Sequence, residues 1–332
     1  MSRGGIEALW ARDGAWPLAP LAWLYGAVTG ARNLAYDRGW LASHALGLPA
    51  VSVGNLSVGG TGKTPVANWI AQRLLAHGAR PAILLRGYGD DEPLVHARLT
   101  PGAIVVADAD RVRGAAAAKA RGATVLVLDD AFQHRRARRD LDLVLVAAEQ
   151  ATLHRQLPAG PLREAPRGLR RADGLIITRK RATRDEAERA ASAWATHHPG
   201  IPVAIVTLAP AGLQRVDGAG RLGGDALAGR DVLAISAIGA PEAFEAQLAG
   251  LGARVTSAAF SDHHAFTDAE VASLAARAPR DGVVVCTLKD AVKLEGRWPR
   301  GGPALWYLSQ AVVIERGADW IEARLARLAR PS

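Results

Sequence analysis

The sequence predicts an α/β fold: a doubly wound parallel sheet carrying a phosphate-binding loop, a second, smaller α/β domain after it, and an apolar helix before it. Three observations predict this. Short, largely apolar runs (Ala82–Leu85, Ala103–Val106, Thr124–Leu128, Leu143–Val146, Leu175–Thr178) alternate with helical patterns, as strands buried on both faces require. A glycine loop, Gly59-Gly60-Thr61-Gly62-Lys63-Thr64, joins the β-branched run at Val51 and Val53 to an apolar-periodic helix. Acids stand at the ends of predicted strands, where ligands of such sheets bind.

Composition limits the possibilities. The chain has 332 residues, 22% charged and 49% hydrophobic, which suits one large or two ordinary globular domains. One cysteine, Cys286, excludes an internal disulfide framework. Lys plus Arg number 41 against 32 Asp plus Glu, a formal charge of +9, which favours an anionic partner. Aromatic residues are only 5%, and acids at the strand ends would repel phosphodiesters, so no nucleic acid is expected.

Taken in order, Gly14–Ala31 carries no charge but holds Pro17, Pro20 and several glycines, a poor spanning helix. Trp10, Trp16, Trp23 and Tyr25 are residue types that settle at headgroup depth, and Arg32 and Arg38 follow. Residues 6–36 are therefore expected to lie on an anionic membrane, the competing expectation being a packing helix of the first domain.

The phosphate loop comes next. Its glycines let backbone N–H groups turn inward, Lys63 reaches the β/γ-phosphates and the Thr64 hydroxyl can ligate Mg²⁺. The strict pattern has a glycine where this chain has Ser57. A helix over Pro65–His77 buries Val66, Trp69, Ile70 and Leu74. The second strand leads to Arg86-Gly87-Tyr88-Gly89 and an acidic loop, Asp90-Asp91-Glu92-Pro93. The fourth ends in Asp129-Asp130, where enzymes of the P-loop NTPase type keep a Mg²⁺-organising aspartate.

Two arginine runs (Arg135, Arg136, Arg138, Arg139; Arg163, Arg167, Arg170, Arg171) could bind phosphates or form a solvated surface. A charged helix follows over Arg184–His198. The second set has strands at Val203–Leu208, Val232–Ile235, Val283–Thr287 and Leu305–Leu308, with helices at Pro241–Leu251, Asp268–Arg277 and Asp319–Leu328. The expected domains are residues 1–40, 41–182 and 183–332, the last helix packing back on the core.

Together these stretches resemble the tetraacyldisaccharide 4′-kinase family, over nearly the whole chain. The residues that carry the resemblance are VGNLSVGGTGKTP (Val53–Pro65), RGYG (Arg86–Gly89), DEP (Asp91–Pro93), DDAFQHR (Asp129–Arg135), LPAGPLRE (Leu157–Glu164), RRAD (Arg170–Asp173), SDHHAF (Ser261–Phe266) and TLKDAVKL (Thr287–Leu294). The non-glycine at Ser57 is part of the family pattern. The segment joining RGYG to DEP is shorter here, and Ala131 stands where the family has glycine.

The resemblance implies a kinase that uses ATP and Mg²⁺ to phosphorylate the 4′-hydroxyl of an acylated glucosamine disaccharide 1-phosphate, at the cytoplasmic face of the bacterial inner membrane. No obligate protein partner is evident. It implies an ATP site at Gly59, Gly60, Thr61, Gly62, Lys63, Thr64 and Arg111, and metal binding by Thr64, Asp129 and Asp130. It implies catalytic roles for Asp91, His263, Lys63, Arg163 and Asp130, and substrate binding by Glu92, Gln133 and His134. Asp91 pairs with His263 to activate the hydroxyl, with Asp90 a competitor for that register. Because the acid and the histidine fall in different expected domains, their pairing predicts domain closure. The alternatives are a P-loop kinase of a soluble metabolite, or a nucleotide-dependent chaperone or switch protein.

Overall fold

A computed structural model describes Trp10 and residues 16–87, 91–150 and 155–330. Asp90 lies outside the described residues, as does most of 6–15. The chain runs α1 (Ala19–Asp37), β1 (Ala50–Asn55), α2 (Lys63–Ala76), β2 (Pro81–Leu85), α3 (Asp91–Leu99), β3 (Ile104–Ala107), α4 (Arg111–Ala120), β4 (Val125–Asp129) and β5 (Leu141–Ala147). It continues through β6 (Gly174–Arg179), α5 (Arg184–His197), β7 (Val203–Arg215), β8 (Arg221–Leu222), β9 (Asp231–Ser236), α6 (Pro241–Gly250), β10 (Arg254–Ala259) and α7 (Asp268–Ala276). It ends with β11 (Val283–Cys286), α8 (Leu288–Leu294), β12 (Leu305–Arg316) and α9 (Ala318–Ala329).

The described residues form two compact units. One holds those up to Gly87, Leu99–Leu208 and Val312 onward; the other holds those between Gly87 and Leu99, and Ala209–Ala311. These units are discontinuous, whereas the sequence suggested single cuts after 40 and 182. Two contacts account for the difference. Ile321 and Leu325 of α9 are fully buried in the core with Val66, Ile70 and Leu74 of α2. The α3 segment is held in the second unit by Arg98, which donates to the Val216 carbonyl, pairs with Glu295 at 2.7 Å and lies over the Tyr307 ring.

In the first unit the strand order is β7-β6-β5-β1-β4-β2-β3, every pair parallel. β1 and β4 are buried along their whole length, as crossover helices on both faces demand. The order reverses around β1, which lies between β4 and β5, so the carboxyl end of β1 is the switch point where ligands of open α/β sheets bind. In the second unit β10, β9, β11 and β12 are parallel in that order.

Three elements depart from the sequence reading. The acidic stretch beginning at Asp91 is the first turn of α3, not a loop: Pro93 costs little where no intrahelical N–H partner exists, and Asp91 and Glu92 complement the helix dipole. β10 was not foreseen, being a mostly exposed strand without an apolar run. β7 continues past Leu208 through Pro210 to Arg215.

Candidate active site

The first constellation grows from the end of β1. Gly54 admits the Phe132 side chain, whose Cβ lies 2.4 Å from where a Cβ at position 54 would stand. Gly62 caps α2 with φ 86°, and a Cβ there would meet Leu208 Cδ1 at 2.2 Å. That left-handed turn, disfavoured for other residues, leads the loop directly into the start of α2. The loop is tied down: Asn55 Nδ2 donates to Thr61 Oγ1 at 2.9 Å, Thr178 Oγ1 to the Thr61 carbonyl at 2.8 Å, and Lys180 Nζ to the Gly60 carbonyl at 2.9 Å. Gly59, with φ 118°, completes the turn.

Lys63 and Thr64 open α2 beside the end of β4. Val53 is in register with Asp129, which brings Thr64 Oγ1 within 3.4 Å of Asp129 Oδ2. The Asp130 N–H donates to the Val53 carbonyl, and Asp130 is held at φ 51°. In that strained conformation Asp130 Oδ1 meets Arg163 Nη1 at 2.7 Å and Lys63 Nζ at 3.7 Å. Arg163 is delivered by the LPAGPLRE segment: Leu162 bridges to Ser57, and the Arg163 N–H donates to the Leu56 carbonyl at 2.7 Å. Arg111 is buried and braces the strand end, donating to the Asp129 carbonyl at 3.3 Å and the Asp108 carbonyl at 2.6 Å.

Charge and burial work against each other here. Burial pulls the Lys63 ammonium below its ordinary range, with Asp130 opposing. Burial acts to raise the Asp130 carboxyl, but Lys63 and Arg163 outweigh it and leave it below its usual range. Thr64 and Asp129 are hard oxygen donors of the kind Mg²⁺ takes. No cluster of three or more His, Cys, Asp or Glu among the described residues could hold a metal alone, so an ion here would draw further ligands from water or phosphate oxygens. Gln133 Nε2 donates to the Asn55 carbonyl at 2.8 Å and to Glu164 Oε1 at 3.0 Å. His134 Nε2 is buried without a partner among the described residues. Burial and the nearby Arg111 and Arg139 push the His134 imidazole down to about 4.

The second constellation lies wholly within the second unit. Asp91, buried at the start of α3, faces His263, with Nδ1 at 3.4 Å from Oδ2. His263 is half-exposed and has φ 60°; its N–H donates to the Ala237 carbonyl at 3.2 Å. The pair therefore forms inside one unit, and the expectation that closure brings its members together is corrected: α3 belongs to the unit that carries His263. Glu92 is partly buried in the first turn of α3.

The sequence reading assigned no role to Lys293, whose Nζ lies 3.8 Å from Asp91 and 3.6 Å from Asp290. Both residues are in the TLKDAVKL stretch, and their i,i+3 spacing was the available signal. Glu164, buried against Arg171 at 2.9 Å and accepting from Asn33 at 3.0 Å, was also missed as the partner of Gln133.

The family model described as Tetraacyldisaccharide-1-P 4'-kinase matches residues 14–328. A tetraacyldisaccharide 4'-kinase of Anaeromyxobacter dehalogenans (strain 2CP-C) is 38% identical, over 97% of this chain and 95% of that protein. One from Thiobacillus denitrificans is 36% identical, over 96% of this chain and 98% of that protein. Among solved structures, LpxK from Aquifex aeolicus, crystallised in complex with ATP, superposes with a TM-score of 0.78 at 31% identity, covering 95% of this chain and 99% of that one. A phosphate loop with acids at its switch point, in a chain matched from end to end by such kinases, leads to one conclusion: the chain belongs to the tetraacyldisaccharide-1-phosphate 4′-kinase family.

Proposed function

We propose that this kinase of a lipid A precursor divides its chemistry between the two constellations. The reaction moves the γ-phosphate of ATP to the 4′-hydroxyl of tetraacyldisaccharide 1-phosphate, giving lipid IVA. The observation that carries the reading is the convergence of Lys63, Thr64, Asp129, Asp130 and Arg163 on the start of α2. The loop N–H groups and Lys63 bind the phosphate oxygens, and Arg163 neutralises charge on the group in flight. Thr64 and Asp129 would hold Mg²⁺, which supplies Lewis-acid polarisation of the phosphates when bound. Asp130 holds Lys63 and Arg163 in place until the nucleotide takes over as their counter-charge.

Asp91 accepts the proton of the attacking hydroxyl, with His263 orienting the carboxylate and taking part in proton movement. Glu92, Gln133 and His134 bind substrate, and Arg111 supports the nucleotide site through the end of β4. Because His134 stays neutral at physiological pH, it can offer an acceptor as well as a donor to the sugar.

The enzyme works at a membrane surface, at the cytoplasmic face of the inner membrane. No helix among the described residues is long and apolar enough to cross a membrane. α1 instead buries none of its residues and exposes Leu21, Trp23, Leu24 and Val28, with Trp16 exposed just before it. Apolar and aromatic groups of this kind enter the headgroup boundary. Arg32, which donates to the Gln133 carbonyl and stacks on Tyr36, and Arg38, which covers Trp40, are both exposed.

The test is a transfer assay with γ-labelled ATP, Mg²⁺ and the tetraacyl disaccharide 1-phosphate in detergent. Label in the lipid that disappears in Lys63→Ala and Asp91→Ala supports the reading. Hydrolysis of ATP with no label in the lipid contradicts it. Flotation with anionic vesicles, lost in Trp23→Ser/Leu24→Ser, tests the surface contact.

A further inference from the structure

The Asp91–His263 pair does not stand alone. Lys293 sits between two buried carboxylates, 3.8 Å from Asp91 Oδ2 and 3.6 Å from Asp290 Oδ1, and its Nζ also donates to the His264 carbonyl at 3.4 Å. Asp290 is fully buried. Its Oδ2 accepts from the Thr287 hydroxyl at 2.6 Å and from the Ala237 N–H at 3.0 Å. The Ala237 carbonyl accepts in turn from the N–H of His263. One chain of contacts thus runs from Asp290 through the end of β9 to the left-handed backbone of His263, and another from Asp290 through Lys293 to the Asp91 carboxylate. Burial raises the Asp290 carboxyl, and the Thr287 hydroxyl, the Ala237 N–H and Lys293 oppose that rise.

We propose that Lys293, fixed by Asp290, is a positioning residue that aims the Asp91 carboxylate, while Asp290 sets the backbone that presents His263. This deepens the reading above and rests on Asp91 being the group that takes the hydroxyl proton. An ammonium about 4 Å from a buried carboxylate attracts it strongly and fixes the direction in which it points. His263 also touches Asp91 and can carry positive charge, but it is half-exposed and has Asp262 at 3.8 Å from its Nε2. Lys293 is the more enclosed cation, its side chain 16% exposed against 48% for His263. Glu92 adds a neighbouring negative charge on α3. With both carboxylates claiming it, Lys293 has little freedom to move, which a proton-accepting carboxylate needs of its support.

The experiment measures kcat and KM for the full chain and for Lys293→Met, Lys293→Arg and Asp91→Asn, with Tm as the folding check. In Lys293→Met the expected result is a kcat lowered roughly 10- to 100-fold, the mark of a misaimed proton acceptor. KM for both substrates stays within about twofold. Lys293→Arg restores at least part of the rate. If Lys293→Met does not fold, Lys293→Met/Asp290→Asn removes the stranded buried charge and is judged by the same criteria. A wild-type kcat in Lys293→Met, a KM raised well beyond twofold, or failure of Lys293→Arg to restore any of the rate overturns the proposal. Full activity in Asp91→Asn would instead overturn the reading on which the proposal rests.

Discussion

The two constellations solve opposite electrostatic problems with the same backbone device. At the start of α2 the protein gathers cations, Lys63 and Arg163, and holds them with one carboxylate, Asp130. Around Asp91 it buries a carboxylate and surrounds it with Lys293 and His263. Asp130 and His263 are the two non-glycine residues with positive φ among those described. Such a conformation is strained and persists where surrounding contacts over-determine it. The Asp130 N–H is fixed by Val53, and that of His263 by Ala237, each at the carboxyl end of a parallel strand. The difference lies in solvent access. The Asp130 side chain is 38% exposed and that of Asp91 4%. A charge-neutralising site must admit polyphosphate, whereas a base works best where water does not compete for its proton.

This contrast makes predictions that can break it. Lys63→Met carries the largest expected effect, since it removes a cation that neutralises the transferring group: kcat falls on the order of 10³-fold and nucleotide affinity falls with it. Asp91→Asn comes next, with kcat lowered roughly 10²- to 10³-fold and nucleotide affinity unchanged, because the lost group handles a proton rather than a phosphate. Equal loss of ATP binding in both variants would erase the division of labour. Thr64→Val removes one hydroxyl oxygen beside Asp129; the expected outcome is a rate about 10-fold lower with a raised Mg²⁺ requirement, read by titrating Mg²⁺ at fixed ATP.

The smallest effect is on stability. The His134 imidazole is lowered from 6.5 to about 4, so the unfolded chain binds the additional proton between those values. Stability from this residue is complete above pH 6.5 and is lost as pH falls toward 4. Discounted for partial exposure, the loss is on the order of 2 kcal/mol. His134→Gln should flatten the fall of Tm across that window. An unchanged slope would mean that another group sets the acid limit.

The first constellation was largely legible in the sequence because its parts are local. A glycine loop, a Lys-Thr pair and two acids at a strand tip lie in short stretches whose geometry is fixed by the strand and helix they join. Its cross-connections were less visible: Arg163 reaches Asp130 only because Leu56, Ser57 and Leu162 pair their backbones. The second constellation joins positions 91, 263, 290 and 293, and only resemblance to a family linked the first two. The residues of α3 were read as a loop because Pro93 and three successive acids imitate one, and the unit to which α3 belongs depends on Arg98 contacts that no periodicity encodes. Lys293 was hidden because α8, at 7 residues, is too short for a helical period to show. α9 could be placed on the first core because Ile321 and Leu325 share one face, but the units' discontinuous borders follow from long strands β7 and β12, which each serve both.

The most direct test of the divided chemistry is single-turnover transfer from γ-labelled ATP to the tetraacyl disaccharide 1-phosphate, run beside nucleotide binding for wild type, Lys63→Met and Asp91→Asn. The account predicts that Asp91→Asn binds ATP within about twofold of wild type while its transfer step slows at least 100-fold, and that Lys63→Met loses both. Transfer at the wild-type rate in Asp91→Asn would contradict it.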